Sequence, residues 1–264
     1  MYGVTQLSDT IYFVCRESPT IFGYKHLNSK VDVKVKEMKQ PRGIAACTIV
    51  KCLYVCDFHQ SCVWRVIPEH GAEPLVDRFV EDIQGRAVSV SSTGQLAVAG
   101  ISDKLVPGKL FRGVVVYNTD GGKLLQIDTT LNNMKNPIAA VQTSAGSWLV
   151  SNGLDNDASN LIYELGKDGK IIDSYGNPRR KNIGDNELSS IVLGKTENEF
   201  LVLEPMNHRI FLFQRRPMKL KHVLLDTPDN NELSSPLYLN RETGVLIVGM
   251  IDKVLLYKLY AIGK

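Results

Sequence analysis

The chain has 264 residues, 44% of them hydrophobic and 22% charged, with a formal net charge of +3. That balance excludes a disordered or fibrous chain, and at this length roughly three quarters of the unfolded surface can be buried without a metal or disulfide staple. The weak positive charge neither demands nor forbids a polyanionic partner, and no run of about 18 apolar residues exists that would span a membrane as a helix.

The chain starts Met1-Tyr-Gly-Val-Thr-Gln6, without the basic start and apolar core of a signal peptide. The odd number of cysteines favours a reducing compartment, so a cytoplasmic location is expected, with a secreted one as the alternative if a leader has been removed. Beyond the first residues, short apolar runs recur. The first of each pair begins at Ile11, Leu53, Leu96, Trp148, Phe200 and Leu246, at spacings of 42, 43, 52, 52 and 46 residues. A second run follows each, beginning at Thr20, Cys62, Gly113, Leu161, Arg209 and Lys253. A period of this length with several strand-like runs per period predicts an all-β, six-bladed β-propeller of four-stranded antiparallel blades. The repeats use the whole chain as one domain, with blades at about 1–38, 39–82, 83–130, 131–176, 185–227 and 231–264.

Repeat two shows the plan. Gly43–Cys47 reads as the inner strand, small enough for a crowded axis, and Leu53–Cys56 as the second. Val63–Ile67 reads as the third strand and Pro74–Val80 as the polar, alternating outer edge. The middle strands are apolar on both sides because a blade is sandwiched between two others. Glycine-bearing turns fall between runs, as at Ser92-Thr-Gly94, Asp120-Gly-Gly122, Lys167-Asp-Gly169 and Glu242-Thr-Gly244. Outer strands are expected at Val31–Lys36, around Val76, and at Leu124–Ile127, Ile171–Tyr175 and Lys219–Leu225. The sixth repeat has no evident fourth strand, and Met1–Val4 is expected to start the first blade. Trp64, Trp148 and Phe211 are the expected core anchors.

The five cysteines are Cys15, Cys47, Cys52, Cys56 and Cys62. They lack the paired spacing that holds tetrahedral zinc, and small buried hydrophobes are the expected role. Cys52 and Cys56, four apart in a strand, should share a face. A disulfide between Cys56 and Cys62, across a five-residue turn, stays open at this point.

Repeat two carries Pro41-Arg-Gly-Ile-Ala45, Leu53-Tyr-Val-Cys-Asp57 and Val63-Trp-Arg-Val66; repeat five carries Phe200-Leu-Val-Leu-Glu204, Asn207-His-Arg209 and Ile210–Phe213. These resemble NHL repeats, as in TRIM-NHL-type proteins, and the likeness of the repeats covers nearly all of the chain. The motifs are degenerate: Cys15, Gly100, Asn152, Glu204 and Met250 replace Asp57 in the other repeats. The resemblance implies that Asp57 and the Asn207-x-Arg209 turn are architectural, each accepting or donating hydrogen bonds that lock a loop.

Binding residues concentrate on loops held by a rigid scaffold. On the face where inner strands start, the candidates are Arg42, His59, Lys104, Lys109, Phe111, Arg112, Lys135, Arg179, Arg180, Lys181 and His208. Two long loops, 101–112 and 152–160, account for the wide spacings. The first mixes cations with Leu105, Val106, Leu110 and Phe111, which suits a protein partner. The second carries Asp155 and Asp157. The leading expectation is a non-enzymatic module binding a protein or peptide, with no cofactor and no bound metal. The alternative is RNA on a basic face, as the resemblance implies for some members, with steep salt dependence. Asp155, Asp157, Asp185 and Glu187 on the same rim oppose it. Weaker options are a sugar-binding propeller using Phe58 and Phe111, or a metal-dependent hydrolase or lyase. The last needs convergent ligands, and the inner-strand candidates supply almost none.

Overall fold

In a computed structural model, residues 1–25, 29–69, 73–132, 134, 136–153, 162–176, 188–204, 209–226, 233–250 and 253–259 are described. Six antiparallel sheets follow one another along the chain. Blade 1 holds β1 (Gly3–Leu7), β2 (Thr10–Val14), β3 (Thr20–Lys25) and two short outer pieces, β4 (Ser29–Lys30) and β5 (Val33–Lys34), that both pair with β3. Blade 2 holds β6 (Pro41–Cys47), β7 (Cys52–Asp57), β8 (Cys62–Ile67) and β9 (Leu75–Glu81). Blade 3 holds β10 (Gln84–Val90), β11 (Leu96–Ser102), β12 (Phe111–Tyr117) and β13 (Lys123–Asp128). Blade 4 holds β14 (Pro137–Gln142), β15 (Trp148–Asn152), β16 (Ile162–Leu165) and β17 (Ile171–Tyr175). Blade 5 holds β18 (Ser190–Leu193), β19 (Glu199–Glu204), β20 (Arg209–Gln214) and β21 (Lys219–Asp226). Blade 6 has three described strands, β22 (Leu233–Asn240), β23 (Val245–Met250) and β24 (Val254–Lys258).

The middle strands are buried on both faces, β7 and β15 along their whole length, because each blade is covered by two others. Apolar clusters fill the seams. Tyr12, Ile21 and Val35 of blade 1 meet Leu53, Trp64 and Val66 of blade 2. Cys52, Tyr54 and Cys56 meet Leu96, Phe111 and Val115 between blades 2 and 3. Similar clusters join blades 3 and 4, 4 and 5, and 5 and 6. Trp64, Trp148 and Phe211 are all buried in these cores.

The ring closes where β1 lies against β22 and β23. Here Asn240 Nδ2 donates to Gln6 Oε1 at 3.1 Å, across the first and last blades. No described strand of one blade comes from the other end of the chain, so this seam is made by packing and side chains rather than by a shared sheet.

The open question of Cys56 and Cys62 is settled by register. Cys56 sits opposite Val63 and Cys62 opposite Asp57, one residue out of step. Their side chains therefore leave the sheet on opposite faces, Cys56 towards blade 3 and Cys62 towards blade 1. All five cysteines are free thiols. Burial pushes the Cys56 and Cys62 thiols up from their ordinary range, which suits apolar packing.

Candidate functional site

Antiparallel pairing fixes which residues share a face. The starts of the inner strands, the ends of the second strands and the loops into the third strands all lie at one end of the ring, called here the upper face. Around the axis the inner strands enclose a channel of about 390 Å³. The charged side chains on its described lining are Arg42, Arg86 and Arg241.

Arg42 and Arg86 occupy matching places. The pairing of β6 with β7 shifts between Pro41 and Gly43, and that of β10 with β11 shifts between Gly85 and Ala87. Each shift inserts one extra residue, and that residue is an arginine. In blade 4 the same shift falls between Pro137 and Ala139, so Ile138 takes the place. A bulge re-aims a side chain that a regular strand would send into a neighbour. All three line the channel near its upper mouth, beside Tyr2. The Arg42 guanidinium carbon lies 4.1 Å from the centre of the Phe58 ring, a cation–π contact that holds the guanidinium in one plane.

The loop bearing Phe58 is built by Asp57. Its carboxylate is buried and accepts from the backbone N–H of Lys39 (2.7 Å), Gln40 (3.0 Å), His59 (3.2 Å) and Gln60 (3.2 Å). The Trp64 indole donates to it as well, at 3.4 Å. One side chain thus ties the incoming loop to the turn that carries Phe58 and His59. Asn152 repeats part of this in blade 4, accepting from Asn136 N–H at 3.0 Å.

The other candidates are dispersed. His59 is exposed on the Asp57 turn. Phe111 is fully buried against Cys56, Ile83 and Tyr117, so its ring belongs to the blade 2–blade 3 core and is not presented to a partner. Leu105 and Val106 also pack onto that core, leaving Leu110, at 44% exposure, as the apolar group the loop shows to solvent. Lys104 Nζ is 2.7 Å from Asp82 Oδ1 and Lys109 Nζ is 2.9 Å from Asp128 Oδ2. Both cations are therefore matched by carboxylates of their own blade edges, which weakens the basic rim expected for RNA. Arg112 is half-buried at the start of β12, its carbonyl accepting from the Thr129 hydroxyl. Lys135, Arg179, Arg180, Lys181 and His208, together with Asp155, Asp157, Asp185, Glu187 and Asn207, lie outside the described residues. Of the two rings considered for sugar stacking, Phe111 is buried and Phe58 carries Arg42 over its ring. Arg86 went unnoticed in the sequence; the bulge that sets it in the place of Arg42 is visible only in the strand register.

The lower end of the channel is different. Arg241 Nη2 is 2.8 Å from Glu197 Oε1, and Ser144 donates to the other oxygen of the same carboxylate. Nearby, the fully buried Glu164 accepts from Ser147 at 2.6 Å and pairs with Arg216 at 2.7 Å, linking blades 4 and 5. Among the described residues no three His, Cys, Asp or Glu side chains converge to hold a metal ion.

No protein-family model matches the chain. No curated protein matches it either. Solved structures do match. Hydrazine synthase of Kuenenia stuttgartiensis superposes with a TM-score of 0.68 at 15% identity, over 97% of this chain and 75% of the other. A streptogramin B lyase gives 0.67 at 12% identity, over 96% and 91%. YCF48 bound to D1 peptide gives 0.63 at 11% identity, over 100% and 79%. At such identities the likeness is one of fold. Two of the three are enzymes by name, which corrects the expectation that this chain is not an enzyme: the ring it shares carries catalysts as well as binders, and the fold does not separate them. What the comparisons establish is the six-bladed all-β propeller.

Proposed function

We propose that the chain is an NHL-type propeller that binds a protein or peptide on its upper face. The observation that carries this reading is Arg42, which lines the channel and lies over the Phe58 ring of the upper-face turn. Arginine and aromatic groups held together at a concave site are the usual anchors of protein interfaces. The NHL part of the reading draws support from Asp57, whose five hydrogen bonds are of the architectural kind that those repeats imply. The similar fold of YCF48, whose structure was solved bound to D1 peptide, supports the reading.

The test is selection of a displayed random peptide library on the intact chain, with Arg42→Glu and Phe58→Ala as counter-screens. Peptides should be enriched whose affinity falls at least about tenfold on either variant. Enriched peptides that bind both variants unchanged would move the site away from the upper mouth. A randomised RNA pool that binds where peptides do not, and releases steeply with salt, would replace the peptide reading with RNA.

A further inference from the structure

We propose that the outer edge of β24 is a further docking place, which takes an extended apolar segment of a protein partner, with acidic residues at its ends, as the fourth strand of blade 6. The place lies on the rim of the ring, away from the upper face, and stands whether or not that face binds.

In blades 1 to 5 the third strand is paired on both sides. Among the described residues β24 is paired with β23 alone. Two bonds fix which backbone groups are left over. Met250 N–H donates to Lys253 O at 2.8 Å, and Leu259 N–H to Gly244 O at 2.9 Å. Antiparallel partners alternate between pairs that exchange bonds and pairs that do not. The bonded pairs are therefore Val248 with Leu255 and Leu246 with Tyr257. Val254, Leu256 and Lys258 turn their N–H and C=O groups outward, and no described strand lies there to meet them.

The strand has the composition of one that is covered. Val254-Leu-Leu-Tyr257 is an unbroken apolar run. The outermost strands of blades 2 to 5 all carry charged residues, the usual protection of a free edge. Leu256 stands opposite Ile247 and is 45% exposed. At the corresponding places Val116, opposite Ala97, is 2% exposed and Leu212, opposite Leu201, is 9% exposed. Those two have a fourth strand beside them. A peptide strand added to β24 bonds to the outward backbone groups and lays a side chain against Leu256.

Charge selects the occupant. Lys253 and Lys258 stand at the two ends of β24, both exposed and without a carboxylate partner among the described residues. The outer strands of the adjoining blades add the exposed Lys30 and Lys34 of blade 1 and Lys219 of blade 5. Residues 253–259 hold no acidic side chain. A second copy of the chain, paired antiparallel about Leu256, would set Lys258 opposite Val254 and next to Lys253 of its mate, twice over and with no carboxylate on the strand to offset the repulsion. A segment with acidic ends meets the same lysines with opposite charge.

The experiment follows the exchange of backbone amides with water in the intact nitrogen-15-labelled protein as a capped eight-residue peptide is added, alternating valine and threonine with glutamate at both ends. The amides of Val254, Leu256 and Lys258 should slow at least about tenfold, and those of Leu255 and Tyr257, already bonded to β23, far less. A lysine-ended peptide should bind at least about tenfold more weakly, and so should one N-methylated along its backbone, which cannot pair. Leu256→Pro removes an outward N–H and no bond to β23, and should weaken the glutamate-ended peptide by a similar factor. Circular dichroism and melting temperature check its folding. Lys258→Glu keeps the test readable if the proline variant unfolds, since it should shrink or reverse the preference for glutamate ends. Arg42→Glu, which tests the upper face, should leave this binding unchanged; binding lost in that variant alone would place the peptide on the upper face and overturn the edge site. Outward amides left unslowed at millimolar peptide would also overturn it, as would equal binding of the N-methylated or the lysine-ended peptide. The same holds if the outward amides are as slow as those of Leu255 and Tyr257 before any peptide is added, because the chain itself then covers the edge. Self-association that the peptide does not displace would assign the edge to a second copy.

Discussion

Asp57 takes four backbone N–H groups and the Trp64 indole onto one buried carboxylate. The donors come from the loop entering blade 2 and from the β7–β8 turn and β8 within it, so the residue ties the approach to Arg42 to the turn that carries Phe58. Asp57→Ala leaves these donors without an acceptor in a site closed to water, and should lower the unfolding free energy by about 3–5 kcal/mol. Asp57→Asn should lose less, since an amide oxygen still accepts, as Asn152 does from Asn136. Urea titration of the two variants measures this, and a loss below about 1 kcal/mol for the alanine would show that the loop holds itself. The role of Asp57 was legible through the resemblance of its strand to NHL repeats, which implies an architectural carboxylate at that place. The burial of Phe111 was not: beside Lys109, Leu110 and Arg112 it reads as loop, and only the position of the first β12 residue over Cys56 and Tyr117 turns it inward.

At the scale of elements, the loop expected at 101–112 to present a surface is shortened by the strands to 103–110, and it is fastened. Lys104 pairs with Asp82 before β10, and Lys109 with Asp128 at the end of β13. Ser102 Oγ accepts from the N–H groups of Lys104 and Leu105, both at 3.1 Å, closing the turn. Burial by itself would raise the Asp128 carboxyl. Hydrogen bonds from Thr130 and Lys109 outweigh it and leave the group below the usual carboxylate range. A carboxyl lowered by folding contributes stability that is fully present above its unfolded value, about 3.9, and is lost as pH falls through its folded value. Unfolding free energies of the wild type and Asp128→Asn should therefore run a constant distance apart from neutral pH to about pH 5 and converge below pH 4. Curves still parallel at pH 3 would show that Asp128 is not the group responsible. The sequence carried the length of this loop but not its fastening, because each ion pair joins residues 19 to 22 positions apart whose approach depends on strand register.

At the scale of the whole molecule, stability in a ring of repeats is close to a sum over its seams. Five seams hold apolar clusters of described residues. The sixth, between blades 6 and 1, rests on β1 lying against β22 and β23 and on the Gln6–Asn240 hydrogen bond. Local opening should start there. In native-state hydrogen exchange, the amides of β1 and β22 should exchange faster than those of β7, β11 and β15, and Gln6→Ala should widen the difference. Protection of β1 equal to that of β11 would mean that the closing seam is as firm as the rest.

The sequence by itself determined the number of blades, the place of nearly every strand and the absence of a fourth evident strand in the sixth repeat. These follow from the spacing of apolar runs, which local chemistry and burial on two faces impose directly on the order of residues. Only the tertiary structure decided what faces what: that Cys56 and Cys62 part to opposite cores, that Phe111 turns inward, that Lys104 and Lys109 are matched by carboxylates, and that Arg42 and Arg86 line one channel. Each of these depends on register, where a one-residue shift changes the face to which a side chain points. Register is set by pairing between strands, which no single stretch of the chain records.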